Sequence, residues 1–388
     1  MDITIQPRLL QGTVSAIPSK SLAHRYLICA ALADNETDLI CPETSADIEA
    51  TADCLNALGA SVYRSEAGYH VSPMCHIPAA AQLNCRESGS TLRFLLPIVG
   101  ALGIDTLFHL EGRLPERPLS PLLEEMDRMG CRLSRPTGNT IHSSGQLKAG
   151  AYSIDGSISS QFITGLLFAL SLIPGQSTLE ITGSMESKPY LCLTRSALEL
   201  FQSPNYHSPK TVRVEGDWSN ASFWLAAGAL GNPITVTGLY SDSVQGDRAI
   251  LHLLPALEAY STIDAADIPD LVPILAVTAA AKKGAIFTNI RRLRLKESDR
   301  VSAIIDMITA LGGTAEATEN TLTVQGTGFT GGTLDTRGDH RIAMAAAIAA
   351  TVCASPVTIL GAEAIIKSYP TFWDVYKSLG GIYEQHIR

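Results

Sequence analysis

Apolar and polar residues alternate along the chain with two different periods, one typical of helices and the other of strands. Four segments with helical periodicity end in glycine, which readily adopts the left-handed conformation that closes many helices. These endings are Leu58-Gly59-Ala60, Met129-Gly130-Cys131, Leu311-Gly312-Gly313 and Leu379-Gly380-Gly381. Each precedes a strand-like run, and the spacing within each half of the chain is about 70 residues. The pattern predicts a repeated unit of helices and strands.

Two further copies of the unit fit this spacing but lack the glycine, at residues 197–201 and 254–259. The stretches that follow them, residues 202–210 and 260–268, are too short for the usual pair of strands. The simplest account is six units, of which the third and fourth are trimmed.

Alternating runs at residues 211–214 and 321–324 predict strands between the helices. Because helices and strands alternate, the fold class is α/β or α+β. A helix-start signal at Asp217 and Ser219 predicts a domain boundary near Glu215-Gly216.

Composition narrows the class of protein. The chain has 388 residues, of which 46% are hydrophobic and 17% charged, as in a well-buried protein of two domains. Its formal net charge is -9, whereas a protein that binds nucleic acid usually carries an excess of basic residues. The composition therefore argues against a nucleic-acid partner.

The eight cysteines form no C-x-x-C pair and no Cys/His cluster with zinc spacing, so we expect reduced thiols and no metal. The acidic residue Asp2 and the lack of an apolar stretch in the first residues argue against a signal peptide. The longest apolar runs are too short to span a bilayer, which predicts a cytoplasmic protein without a membrane partner.

Lone lysines and arginines recur near predicted helix starts. Lys20, Ser21 and Arg25 share one such start, where outward-pointing amides favour an anion. Similar clusters are Arg86-Glu87-Ser88-Gly89-Ser90-Thr91-Leu92-Arg93, Glu116-Arg117-Pro118, Ser159-Ser160-Gln161, Lys296-Glu297-Ser298-Asp299-Arg300 and Asp339-His340-Arg341. Each cluster taken alone is equally consistent with a structural role or with solvated surface charge. Asp339, for example, could cap a helix, and Glu297 and Arg300, three residues apart, could form an ion pair. Together they predict a ligand with several negative charges, and no P-loop motif points to ATP.

The chain resembles the 5-enolpyruvylshikimate-3-phosphate synthase family of enolpyruvyl transferases. The clusters above occur in the family's order, together with Ser187-Lys188-Pro189-Tyr190, Glu215-Gly216-Asp217, Pro269-Asp270 and Lys367. The resemblance covers nearly the whole chain and implies two lobes of three βαβαββ units each, an inside-out α/β barrel. Residues 18–215 would form the N-terminal lobe, and residues 1–17 plus 216–388 the C-terminal lobe.

The resemblance also implies the reaction. The enolpyruvyl group of phosphoenolpyruvate would move to the 5-hydroxyl of shikimate 3-phosphate, with release of phosphate, in the sixth step of the shikimate pathway to chorismate and the aromatic amino acids. A monomer would act on these two small molecules without any cofactor or metal.

Residue roles follow from the same resemblance. Shikimate 3-phosphate would contact Lys20, Ser21, Arg25, Ser159, Ser160, Gln161, Ser187, Tyr190, Asp270 and Lys296. Phosphoenolpyruvate would contact Lys20, Gly89, Arg117, Gln161, Arg300, Arg341 and Lys367. Asp270 would accept the proton of the 5-hydroxyl, and Glu297, assisted by Lys20, would deliver and recover the methylene proton. Closure of the lobes would expel water.

Two positions depart from the family pattern, since Glu87 and Arg292 stand where asparagine is usual. Glu87 would add a negative charge near phosphoenolpyruvate, which could lower its affinity or pair with Arg86 or Arg93.

Two other functions remain to be weighed. UDP-N-acetylglucosamine enolpyruvyl transferase, which shares the fold, normally carries a reactive cysteine just before the position of Arg117, and residues 112–116 contain none. It also has Lys-Asn where this chain has Lys20-Ser21. A non-catalytic binding protein on the same repeat would not need Lys20, Asp270, Glu297 and Arg341 together.

Overall fold

A computed structural model describes residues 1–386 of the chain. The protein divides into two compact units. Met1–Ile17 and the chain from Glu215 onward form what we call the discontinuous unit, and Pro18–Val214 form the inserted unit. Each unit has its own apolar core.

Within residues 1–386 the α-helices are α1 (Lys20–Ala31), α2 (Ala46–Ala57), α3 (Gly89–Leu102), α4 (Leu122–Arg128), α5 (Ser160–Leu170), α6 (Lys188–Leu200), α7 (Trp218–Ala229), α8 (Ile250–Ala256), α9 (Val272–Ala281), α10 (Arg300–Ala310), α11 (His340–Ala350) and α12 (Phe372–Ser378).

The strands are β1 (Asp2–Gln6), β2 (Gly12–Ser15), β3 (Thr37–Ile40), β4 (Ser61–Arg64), β5 (Gly68–Ser72), β6 (Ala80–Asn84), β7 (Asp105–His109), β8 (Cys131–Ser134), β9 (Thr140–Gly145), β10 (Ala151–Asp155), β11 (Thr178–Thr182), β12 (Thr211–Arg213), β13 (Ile234–Thr237), β14 (Ser261–Asp264), β15 (Gly284–Thr288), β16 (Thr314–Ala317), β17 (Thr321–Gln325), β18 (Gly332–Asp335), β19 (Val357–Leu360) and β20 (Ile382–His386).

The inserted unit contains sheets of order β12-β3-β5-β4, β6-β7-β9-β8 and β10-β11, and the discontinuous unit contains β14-β15-β17-β16, β18-β19-β1-β20 and β2-β13. Each four-stranded sheet joins one parallel pair to antiparallel neighbours, as where β6 pairs with β7 across α3 and β9 then pairs antiparallel with β7. The mixed pattern fits an α/β fold of repeated units.

The two-stranded sheets fall at the third and fourth predicted units. After α6 the chain passes to β12 of another sheet, and after α8 it passes to β14, so neither unit adds an antiparallel pair. The predicted glycine endings adopt positive φ, with values of 100° at Gly59, 105° at Gly130, 89° at Gly312 and 91° at Gly380. Glycine is favoured there because a side chain would strain this conformation.

Proline residues lie close to the limits of two helices in the inserted unit. Helix α5 ends at Leu170, shortly before Pro174, which disfavours helical backbone at the residue that precedes it. Helix α4 begins at Leu122, directly after Pro121.

Helices α3 and α5 in the inserted unit and α9 and α11 in the discontinuous unit are largely buried. They are mostly apolar, which is typical of a helix enclosed by other elements. Their first residues carry candidate site residues, namely Gly89, Ser160, Asp270 just before α9, and Arg341. Within residues 1–386, no helix has the length and apolar character that crossing a bilayer requires.

Candidate active site

Arg25 joins three helices of the inserted unit, α1, α5 and α6, through neutral acceptors. Its guanidinium donates to the carbonyl oxygens of Ser21 at 2.7 Å and Tyr190 at 3.0 Å, and to the hydroxyls of Thr194 at 3.0 Å and Thr164 at 3.4 Å. The ring of Phe94 lies 5.0 Å from its central carbon. Burial lowers the pKa of Arg25 to about 10, so the side chain is charged at neutral pH.

Lys20, the first residue of α1, pairs with a carboxylate that the sequence did not indicate. Its Nζ lies 2.8 Å from Oδ2 of Asp47, a buried residue in the first turn of α2. The pair holds the lysine at the start of α1, close in sequence to Ser21 and Arg25.

A second basic cluster surrounds the start of α3. Arg93 donates to Oε1 of Gln161 at 2.9 Å and to the carbonyl of Pro118 at 3.1 Å. A Cβ on Gly89 would lie only 2.6 Å from Nη1 of Arg93 and 2.8 Å from Nη1 of Arg117. Two guanidinium groups therefore pack against the backbone at the N-terminus of a buried helix, an arrangement that favours an anion.

The predicted serines lie at helix starts in the same unit. Ser159 is the N-cap of α5, and its Oγ accepts from the backbone N–H of Gln161 at 3.3 Å. Ser160 is buried in the first turn of that helix. Ser187 precedes α6 with a φ of 55°, and the carbonyl of Tyr190 holds Arg25. The structure thus brings the starts of α1, α5 and α6 into one hydrogen-bonded set.

In the discontinuous unit, Arg300 lies at the centre of three carboxylates. Its Nη1 lies 2.8 Å from Oδ1 of Asp270, and its Nη2 lies 2.8 Å from Oε2 of Glu297. Asp339 accepts from Nε at 2.9 Å and from Nη2 at 3.3 Å, and the carbonyl of Pro269 lies 3.5 Å from Nη1. A guanidinium has five N–H groups, so all are used by the protein.

The i,i+3 pair of Glu297 and Arg300 predicted from sequence is confirmed. Asp339 was recognised in the sequence only as a helix cap, and it does cap α11 by accepting from the backbone of Arg341 at 2.9 Å. Its contact with Arg300 spans 39 residues, a separation that no local pattern reveals.

Lys296 and Arg341 complete the cluster around Asp270. Nζ of Lys296 lies 3.6 Å from one oxygen of Asp270, and Nη2 of Arg341 lies 3.7 Å from the other. Within residues 1–386, the Nε and Nη1 atoms of buried Arg341 have no hydrogen-bond partner. Arg341 therefore has donors available for an additional anion, whereas Arg300 has none.

The electrostatics favour an ionised Asp270. Burial alone would raise its pKa, but the positive charges of Lys296, Arg341 and Arg300 outweigh burial and hold the pKa well below its usual range. Burial in turn lowers the pKa of Lys296, with Asp270 opposing the shift and Arg292 contributing to it. Asp270 can accordingly accept a proton from a hydroxyl group only when that group has become strongly acidic, as happens while its oxygen bonds to a cationic carbon.

The structure places Lys367 at the end of the 3₁₀ helix Ala362–Lys367, half-buried. Arg292 lies in the 3₁₀ helix Arg291–Leu295. Glu87 packs beside Gly112, where an added Cβ would lie within van der Waals overlap of its carboxylate. Arg86, one possible partner of Glu87, instead pairs with Asp53 at 2.6 Å.

Metal ligands do not cluster in the described part of the chain. Within residues 1–386, no three His, Cys, Asp or Glu side chains are placed to share an ion. The eight cysteines, all among those residues, are free thiols.

Comparison with known proteins agrees with these features. The family model described as EPSP synthase (3-phosphoshikimate 1-carboxyvinyltransferase) matches residues 5–376. A 3-phosphoshikimate 1-carboxyvinyltransferase of Clostridium kluyveri is 37% identical, covering 98% of this chain and 97% of its own, and one of Clostridium acetobutylicum is also 37% identical over 98% and 97%. The EPSP synthase structure from Acinetobacter baumannii has a TM-score of 0.80 at 20% identity, covering both chains fully, and thus shares the fold. The chain belongs to the EPSP synthase family, whose members transfer the enolpyruvyl group of phosphoenolpyruvate to shikimate 3-phosphate in the pathway to the aromatic amino acids.

Proposed function

We propose that the two basic clusters of the inserted unit and the Arg300 cluster of the discontinuous unit carry out this enolpyruvyl transfer, with each side chain in the role that its surroundings support. The observation that carries the proposal is the Arg300 cluster, because one buried guanidinium holds Asp270 and Glu297 at 2.8 Å each. Two carboxyl groups fixed to a common cation are suited to moving two different protons in one reaction.

The inserted unit contributes most of the binding of shikimate 3-phosphate. Lys20, Ser21 and Arg25 offer cationic and hydroxyl groups for its phosphate, and the serines at the starts of α5 and α6 offer further donors. The proposed contacts from this unit are Lys20, Ser21, Arg25, Ser159, Ser160, Gln161, Ser187 and Tyr190, and those from the discontinuous unit are Asp270 and Lys296.

Phosphoenolpyruvate is bound by arginines and lysines, as its negative charges require. The inserted unit offers Lys20, Gly89, Arg117 and Gln161, and the discontinuous unit offers Arg300, Arg341 and Lys367. Arg341 has unpartnered donors, whereas Arg300 must release an acceptor before it can contact a substrate. Release of Asp270 or Glu297 by Arg300 frees that carboxyl group for proton transfer.

The proton chemistry balances with these two groups. Glu297, released by Arg300 and protonated from solvent, transfers its proton to the methylene carbon of phosphoenolpyruvate, and C2 becomes cationic. The 5-oxygen of shikimate 3-phosphate bonds to C2 while Asp270 takes the hydroxyl proton. The C2–O bond to phosphate then breaks, the departing phosphate takes the proton from Asp270, and Glu297 takes back a proton from the methyl group to restore the double bond. Lys20 assists through its charge.

Phosphate release with both substrates tests the proposal. We expect steady release of one phosphate per enolpyruvyl product, and none when either substrate is omitted or when UDP-N-acetylglucosamine replaces shikimate 3-phosphate. Tight binding of shikimate 3-phosphate without any turnover would instead indicate a non-catalytic binding protein on the same fold.

We also propose that the enzyme acts in the cytoplasm as a monomer and does not bind nucleic acid. The net charge of -9 supports the last point, since it repels a phosphate backbone. Light scattering should give a mass near the 41.3 kDa of one chain. A concentration-independent dimer would contradict the proposed monomer.

A further inference from the structure

A fourth carboxyl group, that of Asp247, is buried in the same unit as Asp270 but has no role in the mechanism above. It lies in the 3₁₀ helix Gly246–Ala249, and its side chain is 4% exposed. Ser219 of α7 donates a short hydrogen bond to Oδ2. Within residues 1–386, Oδ1 has no hydrogen-bond partner.

The segment that carries Asp247 is fixed to the start of α7. Gln245 donates to Oε1 of Glu215 and to the carbonyl of Gly216, both at 2.8 Å, and accepts from the backbone of Trp218 at 3.1 Å. These bonds leave the carboxyl group of Asp247 little freedom to turn toward solvent. Its burial is therefore built into the backbone arrangement.

Arg341 approaches the same face of α7. Its guanidinium carbon lies 5.9 Å from the ring centre of Phe223, which is four residues beyond Ser219 and so shares its helix face. Asp247, held by Ser219, and Arg341, packed on Phe223, thus lie along one stripe of α7. Their charges attract, yet neither Oδ1 of Asp247 nor Nε and Nη1 of Arg341 has a hydrogen-bond partner within residues 1–386.

We propose that Asp247 is a positioning residue that controls how much of the positive charge of Arg341 is available to phosphoenolpyruvate. When protonated, Asp247 leaves the charge of Arg341 to the substrate. When ionised, it competes with the anionic substrate for that charge. The inference rests on the proposed role of Arg341 and adds a pH dependence to it.

Burial and the charges that face Asp247 decide at which pH its carboxyl group ionises. Burial raises its pKa to about 7, and Asp270 and Asp217 contribute in the same direction, while Ser219 and Arg341 oppose them. Arg248, on the same 3₁₀ helix, is exposed and donates to the carbonyl of Ser241, and His252 on the adjacent α8 is also exposed. Asp247 therefore changes charge near neutral pH, whereas Asp270 stays ionised.

The test is the KM for phosphoenolpyruvate between pH 5.5 and 8.5 in wild type and Asp247→Asn. The phosphate of the substrate titrates in this range in both proteins, so the ratio of the two KM values is the measurement. We expect wild-type KM to exceed that of the variant by about fivefold or more at high pH and to approach it at low pH. A ratio that does not change with pH would overturn the proposal.

Two further variants sharpen the result. Ser219→Ala removes a bond that favours the ionised carboxylate, so the rise in KM should move to higher pH, and this holds as a test even if Asp247→Asn folds poorly. Asp242→Asn removes one negative charge from an exposed position of the same segment, and its KM profile should match wild type. A Ser219→Ala profile shifted to lower pH would contradict the mechanism.

Arg341→Ala separates this inference from the proposed function. In that background, Asp247→Asn should no longer alter the pH dependence of KM, because the charge that Asp247 modulates is gone. An effect of Asp247→Asn that survives in Arg341→Ala would reject the coupling while leaving the transferase activity intact. Absence of phosphate release from wild type would instead reject the proposed function itself.

Discussion

Arg25 and Arg93 of the inserted unit and Arg300 of the discontinuous unit are held by different kinds of partner. In the inserted unit, Arg25 and Arg93 donate to carbonyl, hydroxyl and amide oxygens, all of them neutral. In the discontinuous unit, Arg300 donates mainly to the carboxylates of Asp270, Glu297 and Asp339. Among the candidate site residues of the inserted unit, Arg25 is held by neutral oxygens whereas Lys20 pairs with Asp47, and in the discontinuous unit Arg300 is surrounded by proton acceptors.

This difference separates binding from chemistry. Neutral partners fix the direction of a guanidinium while leaving its full charge to a phosphate or carboxylate. Carboxylate partners neutralise the cation, but the cation in turn fixes their positions and favours their ionised forms. The inserted unit is therefore suited to binding anions, and the discontinuous unit to moving protons.

The largest expected effect comes from Glu297→Gln. The amide keeps the shape of the side chain and can still bond to Arg300, but it cannot donate and recover a proton. We expect kcat to fall by roughly 10²–10⁴-fold while KM for both substrates changes little, as measured by steady-state phosphate release. The exposed Glu319→Gln serves as the control, and an unchanged kcat for Glu297→Gln would reject the proton-transfer role of Glu297.

Arg300→Met tests the other side of the same cluster. Removing the buried cation leaves three carboxylates without their shared partner, which should cost about 3–5 kcal/mol in the free energy of unfolding. Urea denaturation would measure the loss. Arg291→Met removes an exposed arginine that pairs with Glu319 at 3.2 Å, and it should change stability by less than about 1 kcal/mol. If both variants changed the free energy of unfolding equally, burial of the Arg300 cluster would contribute nothing to stability.

His24 gives the inserted unit a different pH sensitivity. Burial is the main cause that lowers its pKa to about 3, from an ordinary value of about 6.5. Because the folded-state pKa is depressed, the stability contribution is complete above pH 6.5 and is lost as the pH falls toward 3. Between pH 7 and pH 5 we expect a loss of about 2 kcal/mol in the free energy of unfolding.

His24→Gln should remove this part of the pH dependence, as measured by urea denaturation at pH 5, 6 and 7. The exposed His252→Gln provides the matched control and should leave the dependence as in wild type. If the His24 variant lost stability over this range as steeply as wild type, the buried neutral histidine could not be its cause.

The smallest expected effect concerns Gly89→Ala. A methyl group there would lie 2.6–2.8 Å from the guanidinium groups of Arg93 and Arg117, which must move away. We expect KM for phosphoenolpyruvate to rise by about tenfold, with little change in KM for shikimate 3-phosphate. Gly138→Ala is the control, since nothing lies within 4 Å of its added Cβ. If only the KM for shikimate 3-phosphate changed, this cluster would bind that substrate and not phosphoenolpyruvate.

Several features of the site follow from local sequence. Asp217 and Asp339 cap α7 and α11, and the Glu297–Arg300 pair forms at i,i+3 spacing. Short-range backbone geometry decides these features, because the partners are only two or three residues apart. The other site residues were predicted from the resemblance, because the motifs occur along the chain in the same order as in a known family.

The partners that give these residues their electrostatic character could not be predicted. Asp47 reaches Lys20 over 27 residues, and Asp339 reaches Arg300 over 39. Asp247 carries no signal in the sequence, since one aspartate in a polar segment is ordinarily exposed. Such contacts depend on which helix starts the sheets bring together.

The sequence by itself determined the repeat, its glycine endings and the trimming of the middle units, which depend on periodicity and on the conformational freedom of glycine and so act within a few residues. It also indicated the family, through the order of motifs that resemble those of known members. Only the tertiary structure decided that one guanidinium would hold three carboxylates in the discontinuous unit while Arg25 and Arg93 of the inserted unit met neutral oxygens. The physical reason is that burial and long-range pairing, not residue type, set the charge that a side chain can offer.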